Sequence, residues 1–345
     1  MTNTNNSNKY FSFANTHAGT ISYVNEIFSP QKFDRIYIIK GFYAQNFITH
    51  LKSSSGIDRK YSCDYFMNPI NPQRTDGIII NKTAVINGSL TEIEIDDCHF
   101  PALIVNLNEF CDESLLALHR DKIIKLSEKR QELQVSAQRC LKAANELVEY
   151  LLDLSVEYLD EKKLSSAIDR ILHKRDALIH NNDENDYRFI NSSVGNELNT
   201  LECDTNKTFS ISNEYFCGFH FMKALAVKIN DSKMICPDAL NTKRTHAIYI
   251  KKDNILFKLQ TRFDKKADDE KYSYINMERF IHHAFRKDHK QKLKFIKKIH
   301  DSLISEAADC FNELKNISTA LEEIYSPSIN HIAQKKFAMD FMKKL

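Results

Sequence analysis

The stretch RIYIIKGFYAQNFITHLKS (35–53) decides how this chain is read. RIYIIK is an apolar, β-branched run of strand length, Gly41 marks a turn, and the residues after it have the shape of a helix. Strand, tight turn and helix is the setting in which a phosphate-binding loop is built. Such loops need glycine, because backbone amides must approach phosphate oxygens in conformations that a side chain obstructs. The chain has seven glycines, at 19, 41, 56, 77, 88, 195 and 218, and no two stand at GxGxxG or GxxxxGK[ST] spacing.

Outward from this stretch the chain repeats itself. At an offset of 170, Arg74-Thr75 meets Arg244-Thr245, Ile78 meets Ile248, Ile80 meets Ile250 and Lys82 meets Lys252. Val105-Asn106-Leu107 then meets Ile275-Asn276-Met277, Phe110 meets Phe280, and Ala137 and Cys140 meet Ala307 and Cys310. Near the starts the offset drifts to 176, where FANTHAG (13–19) faces FINSSVG (189–195). A shared order at near-constant offset indicates internal duplication.

Each copy follows one plan. RIYIIKG (35–41) opens the first, and EYFCG (214–218) is expected as its counterpart strand. GIIINKTAVIN (77–87) and AIYIKKDNILF (247–257) each read as a strand pair, followed by ALIVNL (102–107) and YSYINM (272–277). Long helical regions run over 112–154 and 279–325 without proline or glycine. A straight rod of that length would span about 63 Å, so each is expected to fold as a helical hairpin. The expected fold is α/β: a disordered tail over 1–9, halves at 10–158 and 187–345 with long helical projections, and a helical linker at 159–186.

At +2 the formal net charge implies no general attraction to nucleic acid. No apolar run reaches membrane-spanning length, and no hydrophobic signal core opens the chain. Eight cysteines, at 63, 98, 111, 140, 203, 217, 236 and 310, form no CxxC pair and read as reduced thiols of a cytoplasmic protein.

At this point a family resemblance becomes specific. The opening Tyr10-Phe11 with Asn15, Thr16 and Gly19, the strand IYIIKG, the run DGIII-x-x-x-AVI-x-G-S (76–89) and LKAANELVEYL (141–151) resemble an uncharacterised bacterial family of tandem P-loop ATPases. The resemblance covers most of the chain and implies two P-loop-NTPase-like halves. Laid on that family's GGPGTGKS-type loop, Gly41 keeps the first glycine and Asn46 replaces the second. Phe47 stands where the phosphate-binding lysine belongs, and Ile48 takes the magnesium-binding hydroxyl's place, with Thr49 beside it as a partial substitute. Asn87 falls where the family carries an acid, and Phe257 is its expected counterpart in the second copy, whose loop is shortened around CGFHFMKAL (217–225). Phosphoryl transfer depends on cancelling phosphate charge with a lysine and a magnesium ion, and phenylalanine and asparagine supply neither. The implied protein is a non-catalytic scaffold or regulatory protein with vestigial sites, no resident cofactor and a protein partner. The alternative is a divergent ATP-binding protein or ATPase using ATP and magnesium, with Lys40 or Thr49 standing in.

Two further motifs point to nucleic acid. RDALIH (175–180) resembles the Arg/His motif of HEPN-type ribonucleases, in which the histidine would act in acid–base cleavage. RKDHKQKLKFIKK (286–298) carries seven Lys or Arg against one Asp, with Lys290, Lys292, Lys294, Lys297 and Lys298 as candidate contacts for nucleic acid or an acidic partner. His282, His283 and His289 lie nearby but lack a Cys or carboxylate to complete a metal set.

Overall fold

A computed structural model describes residues 8–54, 63–90, 102–173, 185–192, 205–229, 232–260 and 272–343. The first half contains β1 (Asn8–Phe11), β2 (Ala14–Thr16), β3 (Gly19–Ile21), α1 (Val24–Ile27), β4 (Arg35–Lys40) and α2 (Ala44–Ser54). It continues with β5 (Cys63–Met67), β6 (Thr75–Ile80), β7 (Thr83–Asn87), β8 (Ala102–Asn106), α3 (Glu113–Ala117), α4 (Arg120–Val156) and α5 (Glu161–His173). The second half contains β9 (Asp186–Tyr187), β10 (Lys207–Ile211), α6 (Gly218–Lys228), β11 (Met234–Pro237), β12 (Thr245–Ile250), β13 (Ile255–Leu259), β14 (Tyr272–Ile275), α7 (Ala284–Tyr325) and α8 (His331–Met342). Positions 8 and 9, read as tail, begin β1; RDALIH and Gly195 lie outside the described residues.

The protein is α/β, with two six-stranded sheets that share one strand order. It runs β1-β5-β6-β7-β4-β8 in the first and, read from the matching edge, β9-β11-β12-β13-β10-β14 in the second. Strand senses agree at every step: parallel, antiparallel, antiparallel, parallel, parallel. Even an irregularity recurs at one place, between Phe66 and Met67 and between Cys236 and Pro237.

Among the strands, three details differ from the sequence reading. The second opening strand is β10, not EYFCG; Glu214–Phe216 is instead a 3-10 turn leading into α6. KTFSI alternates polar and apolar residues, so it lacks the apolar run that marked β4. The β12–β13 hairpin closes Ile250 on Ile255, whereas β6–β7 closes Ile80 on Thr83, so its loop is longer. The counterpart of Asn87 is therefore Leu259, paired with Ile211 as Asn87 is with Ile39, and Phe257 corresponds to Val85. At the start, Phe11 bridges Phe189, so FANTHAG and FINSSVG are displaced from the expected match.

The long regions are continuous helices and not hairpins: α4 has 37 residues and α7 has 42. Each finds its apolar partner in the other half. Leu133, Ala137, Leu141 and Ala144 share one core with Ala307, Phe311, Leu314 and Ile317. Lys292 lies 4.7 Å over the Tyr150 ring, and Arg130 acts on Tyr325, so the two helices run antiparallel. Cys140 feels Cys310 near their crossing; Cys310 is buried and Cys140 half-buried. Beyond the long helices the chain crosses over. Cys111 bridges Ile329 and Leu159 bridges Ile281, with Asp112 N–H donating to Ser328 O (2.7 Å) and His282 N–H to Tyr158 O (2.8 Å). Consequently α5 packs its Leu164 and Ile168 into the second half's core, and α8 packs Ala338 and Phe341 into the first half's core. The segment read as a linker thus carries a core helix.

Candidate functional site

The turn after β4 sits where the sequence placed a vestigial loop, and the fold fills it with the protein's own groups. Gly41 has φ +107°, and a Cβ there would fall 2.6 Å from Asn108 Oδ1. That same oxygen accepts the Phe42 N–H at 3.0 Å, an amide that a phosphate loop would offer to its ligand. α2 starts at Ala44, immediately after Tyr43 in the left-handed region (φ 69°). Phe47 is buried on the far side of α2, 5.9 Å from each of the Phe337 and Phe341 rings of α8. Asn46 Oδ1 accepts from Arg74. Thr49 Oγ1 donates to Gln45 O (2.7 Å) and accepts from Thr75 N–H (2.9 Å), so its hydroxyl serves the α2–β6 contact.

At the floor lies a residue that the sequence reading quoted without assigning it a role. Asp76 is fully buried on β6 and accepts from Ser12 Oγ (2.6 Å), Asn68 Nδ2 (3.1 Å), Gln45 Nε2 and Asn87 Nδ2 (3.5 Å). Burial pushes its pKa up, and the four donors pull against that shift. Asn87 thus supports a carboxylate on the neighbouring strand. The signal available beforehand was an acid directly preceding an isoleucine-rich strand in the motif DGIII.

Above the floor, the other half's α7 closes a cavity of about 560 Å³ lined by Asn15, Asn71, Arg74, Arg130, Lys315 and Glu322, among others. Arg74 pairs with Glu322, and Tyr43 Oη donates to Glu322 O. Burial raises the Glu322 pKa, and Arg74 opposes the rise.

In the second half the same geometry holds different chemistry. His246 follows Thr245 as Asp76 follows Thr75, and it is buried. Asn213 Oδ1 accepts Gly218 N–H (3.1 Å), and a Cβ on Gly218 would fall 2.6 Å from Leu259 Cδ2. Phe221 is fully buried in the core. Arg244 donates to Asp238 Oδ2 (2.7 Å) and to Glu149 Oε1 of α4 (3.0 Å). Each half's arginine therefore reaches a glutamate on the long helix of the other half. Nearby, Ser155 Oγ meets His220 Nε2 at 2.7 Å, and burial, then Lys223, holds the His220 pKa down. Burial pushes the Cys217 thiol up to about 11, so it is no ready nucleophile.

The basic stretch forms the first turns of α7. Lys290, Lys292, Lys294, Lys297 and Lys298 are exposed, while Leu293 and Ile296 turn inward. Lys297 pairs with Asp301 at 3.4 Å. Phe295 is 64% exposed among these lysines, an aromatic platform that the sequence reading overlooked. His289 Nε2 bonds Tyr158 Oη (3.1 Å), and the His282 and His283 rings lie 4.4 Å apart. Among the described residues no group of three or more His, Cys, Asp or Glu is placed to hold a metal, and no helix is long and apolar enough to cross a membrane. Comparison with family models, curated proteins and solved structures finds no match to this chain.

Proposed function

We propose that this chain is a non-catalytic scaffold or regulatory protein, built from two diverged copies of a P-loop-type α/β unit and acting by contact. One observation carries the reading. At both positions where such a unit would handle phosphate, the groups present are committed to holding the halves together. Phe47 and Phe221 are buried, and Arg74 and Arg244 reach across to Glu322 and Glu149. The shared strand order and the reciprocal exchange of α5 and α8 support duplication. A unit whose site residues brace its long helices presents constant surfaces, which is what a contact protein requires.

A divergent ATP-binding protein is the second reading, favoured by the first half's cavity with Arg74, Arg130 and Lys315. Phosphate release from ATP with magnesium separates the two. The proposal expects background rates from the full chain, and saturable magnesium-dependent release would overturn it.

A further inference from the structure

The two halves differ most sharply where α5 and α8 dock. On the first sheet, α8 presents Phe337 and Phe341; Phe341 packs 4.7 Å from Tyr37, and Phe337 lies 5.5 Å from Phe110. The exposed end of α8 is neutralised by an Asp340–Lys343 pair at 2.8 Å. On the second sheet, α5 has Ala167 and Ile171 at the matching helical positions. These smaller side chains leave open a cleft of about 610 Å³ between α5 and the sheet edge β14–β10.

The cleft is basic. Arg170, His173, Lys207 and Arg279 line it, and among the described residues no Asp or Glu does. Their first-half counterparts are Asp340, Lys343, Arg35 and Glu109, a balanced set, so the bias belongs to this copy alone. Adjacent carboxylates are engaged elsewhere, Asp169 with Lys228 and Glu278 with Arg286. Arg170 uses Nε to donate to Ser166 O (3.1 Å), which holds the guanidinium, and among the described residues its terminal nitrogens meet no acceptor. His173 Nδ1 is held by Asp169 O at 2.8 Å. Lys207 Nζ sits 5.1 Å from the Phe209 ring, and Tyr274 lines the same cleft with 58% of its surface exposed. Cationic forks flanking an open aromatic ring match a phosphodiester backbone with unpaired bases, since guanidinium groups hold phosphate and rings accept a base of any sequence.

We propose that this cleft binds single-stranded nucleic acid, with Arg170, Lys207 and Arg279 on phosphates and Tyr274 stacking on a base. The proposal rests on the contact reading above only in naming a partner. A magnesium–ATP response would sink that reading and leave the cleft untouched, whereas failure to bind a strand sinks this proposal alone.

Fluorescence anisotropy with labelled 12-nucleotide single-stranded RNA and DNA, a matched duplex and a poly-glutamate peptide tests it on the full chain. Single strands should bind at low salt, more tightly than the duplex or the peptide. Reversing all three charges (Arg170→Glu, Lys207→Glu, Arg279→Glu) should flatten the salt slope by about 2, at roughly 0.7 per phosphate contact. Tyr274→Ala should weaken binding at least about fivefold, as loss of one stacked base does. Ala167→Phe, which copies Phe337, should fill the cleft and abolish binding while leaving the melting temperature intact. If the triple variant melts early, Tyr274→Ala and Ala167→Phe decide alone. No binding at low salt, equal capture of poly-glutamate, or binding that is indifferent to these variants but abolished by glutamate at Lys290, Lys292, Lys294, Lys297 and Lys298 would overturn the proposal.

Discussion

Phe47 shows how one residue redirects a site. The family resemblance places a phosphate-binding lysine at this position, but the side chain here points into the core and its ring helps anchor α8. Phe47→Lys should therefore fail to create turnover and should destabilise the fold by about 3–5 kcal/mol, because it deletes a core ring and buries an amine. Urea unfolding followed alongside phosphate release checks both halves of that statement. His220 makes a second prediction. Its folded pKa lies below the ordinary 6.5, so the native state binds the proton less readily than the unfolded chain. Its contribution is full above pH 6.5 and lost as pH falls through and below that value. Replacing it, as His220→Gln, should flatten the stability profile between about pH 7 and 5; an unchanged slope would assign the acid sensitivity elsewhere. Asp76 has the opposite sign to an ordinary ion-paired acid: raised by burial, it favours the fold at low pH and loses that advantage as pH rises above 3.8. Asp76→Ala strands four donors and should cost about 3 kcal/mol in urea unfolding at neutral pH.

Among the elements, β4 and the hairpins were legible because runs such as IYII and GIII are apolar and dominated by isoleucine. β10 was missed because Lys207, Thr208 and Ser210 interrupt its pattern, and its place comes from pairing with both β13 and β14. The apolar stripes of α4 and α7 were equally visible. What covers them was not: periodicity reports that a face is buried without naming its partner, and here the partner is the long helix of the other half, far away along the chain. The same limit hid the exchange of α5 and α8, since Ile168 and Ala338 look like ordinary amphipathic positions in each helix. The exchange makes an unequal prediction. Ending the chain at Ile329 removes α8 and should raise hydrogen exchange in β4 and α2, while β10 and α6 keep their protection under α5. Loss of protection in both sheets alike would mean that the helices do not cover them separately.

Across the whole molecule, contacts between the halves recur in matching pairs. Cys111–Ile329 answers Leu159–Ile281, Arg74–Glu322 answers Arg244–Glu149, and Phe11 meets Phe189. Each half serves as the packing partner of the other, and the turn after β4 and the turn before α6 lie at that junction. Sequence alone singled out Gly41, Asn46, Phe47, Thr49 and Asn87; it could not show that cross-half contacts use the same space. If those contacts have replaced the ligand, magnesium–ATP has nothing to add to stability. Thermal unfolding of the full chain with and without magnesium–ATP tests this most directly. The account predicts coincident transitions at millimolar ligand, while a ligand held at about 100 times its dissociation constant would stabilise the fold by roughly 2.7 kcal/mol. An upward shift of that size, lost on Arg74→Ala, would contradict the account and identify the first half as a working nucleotide site.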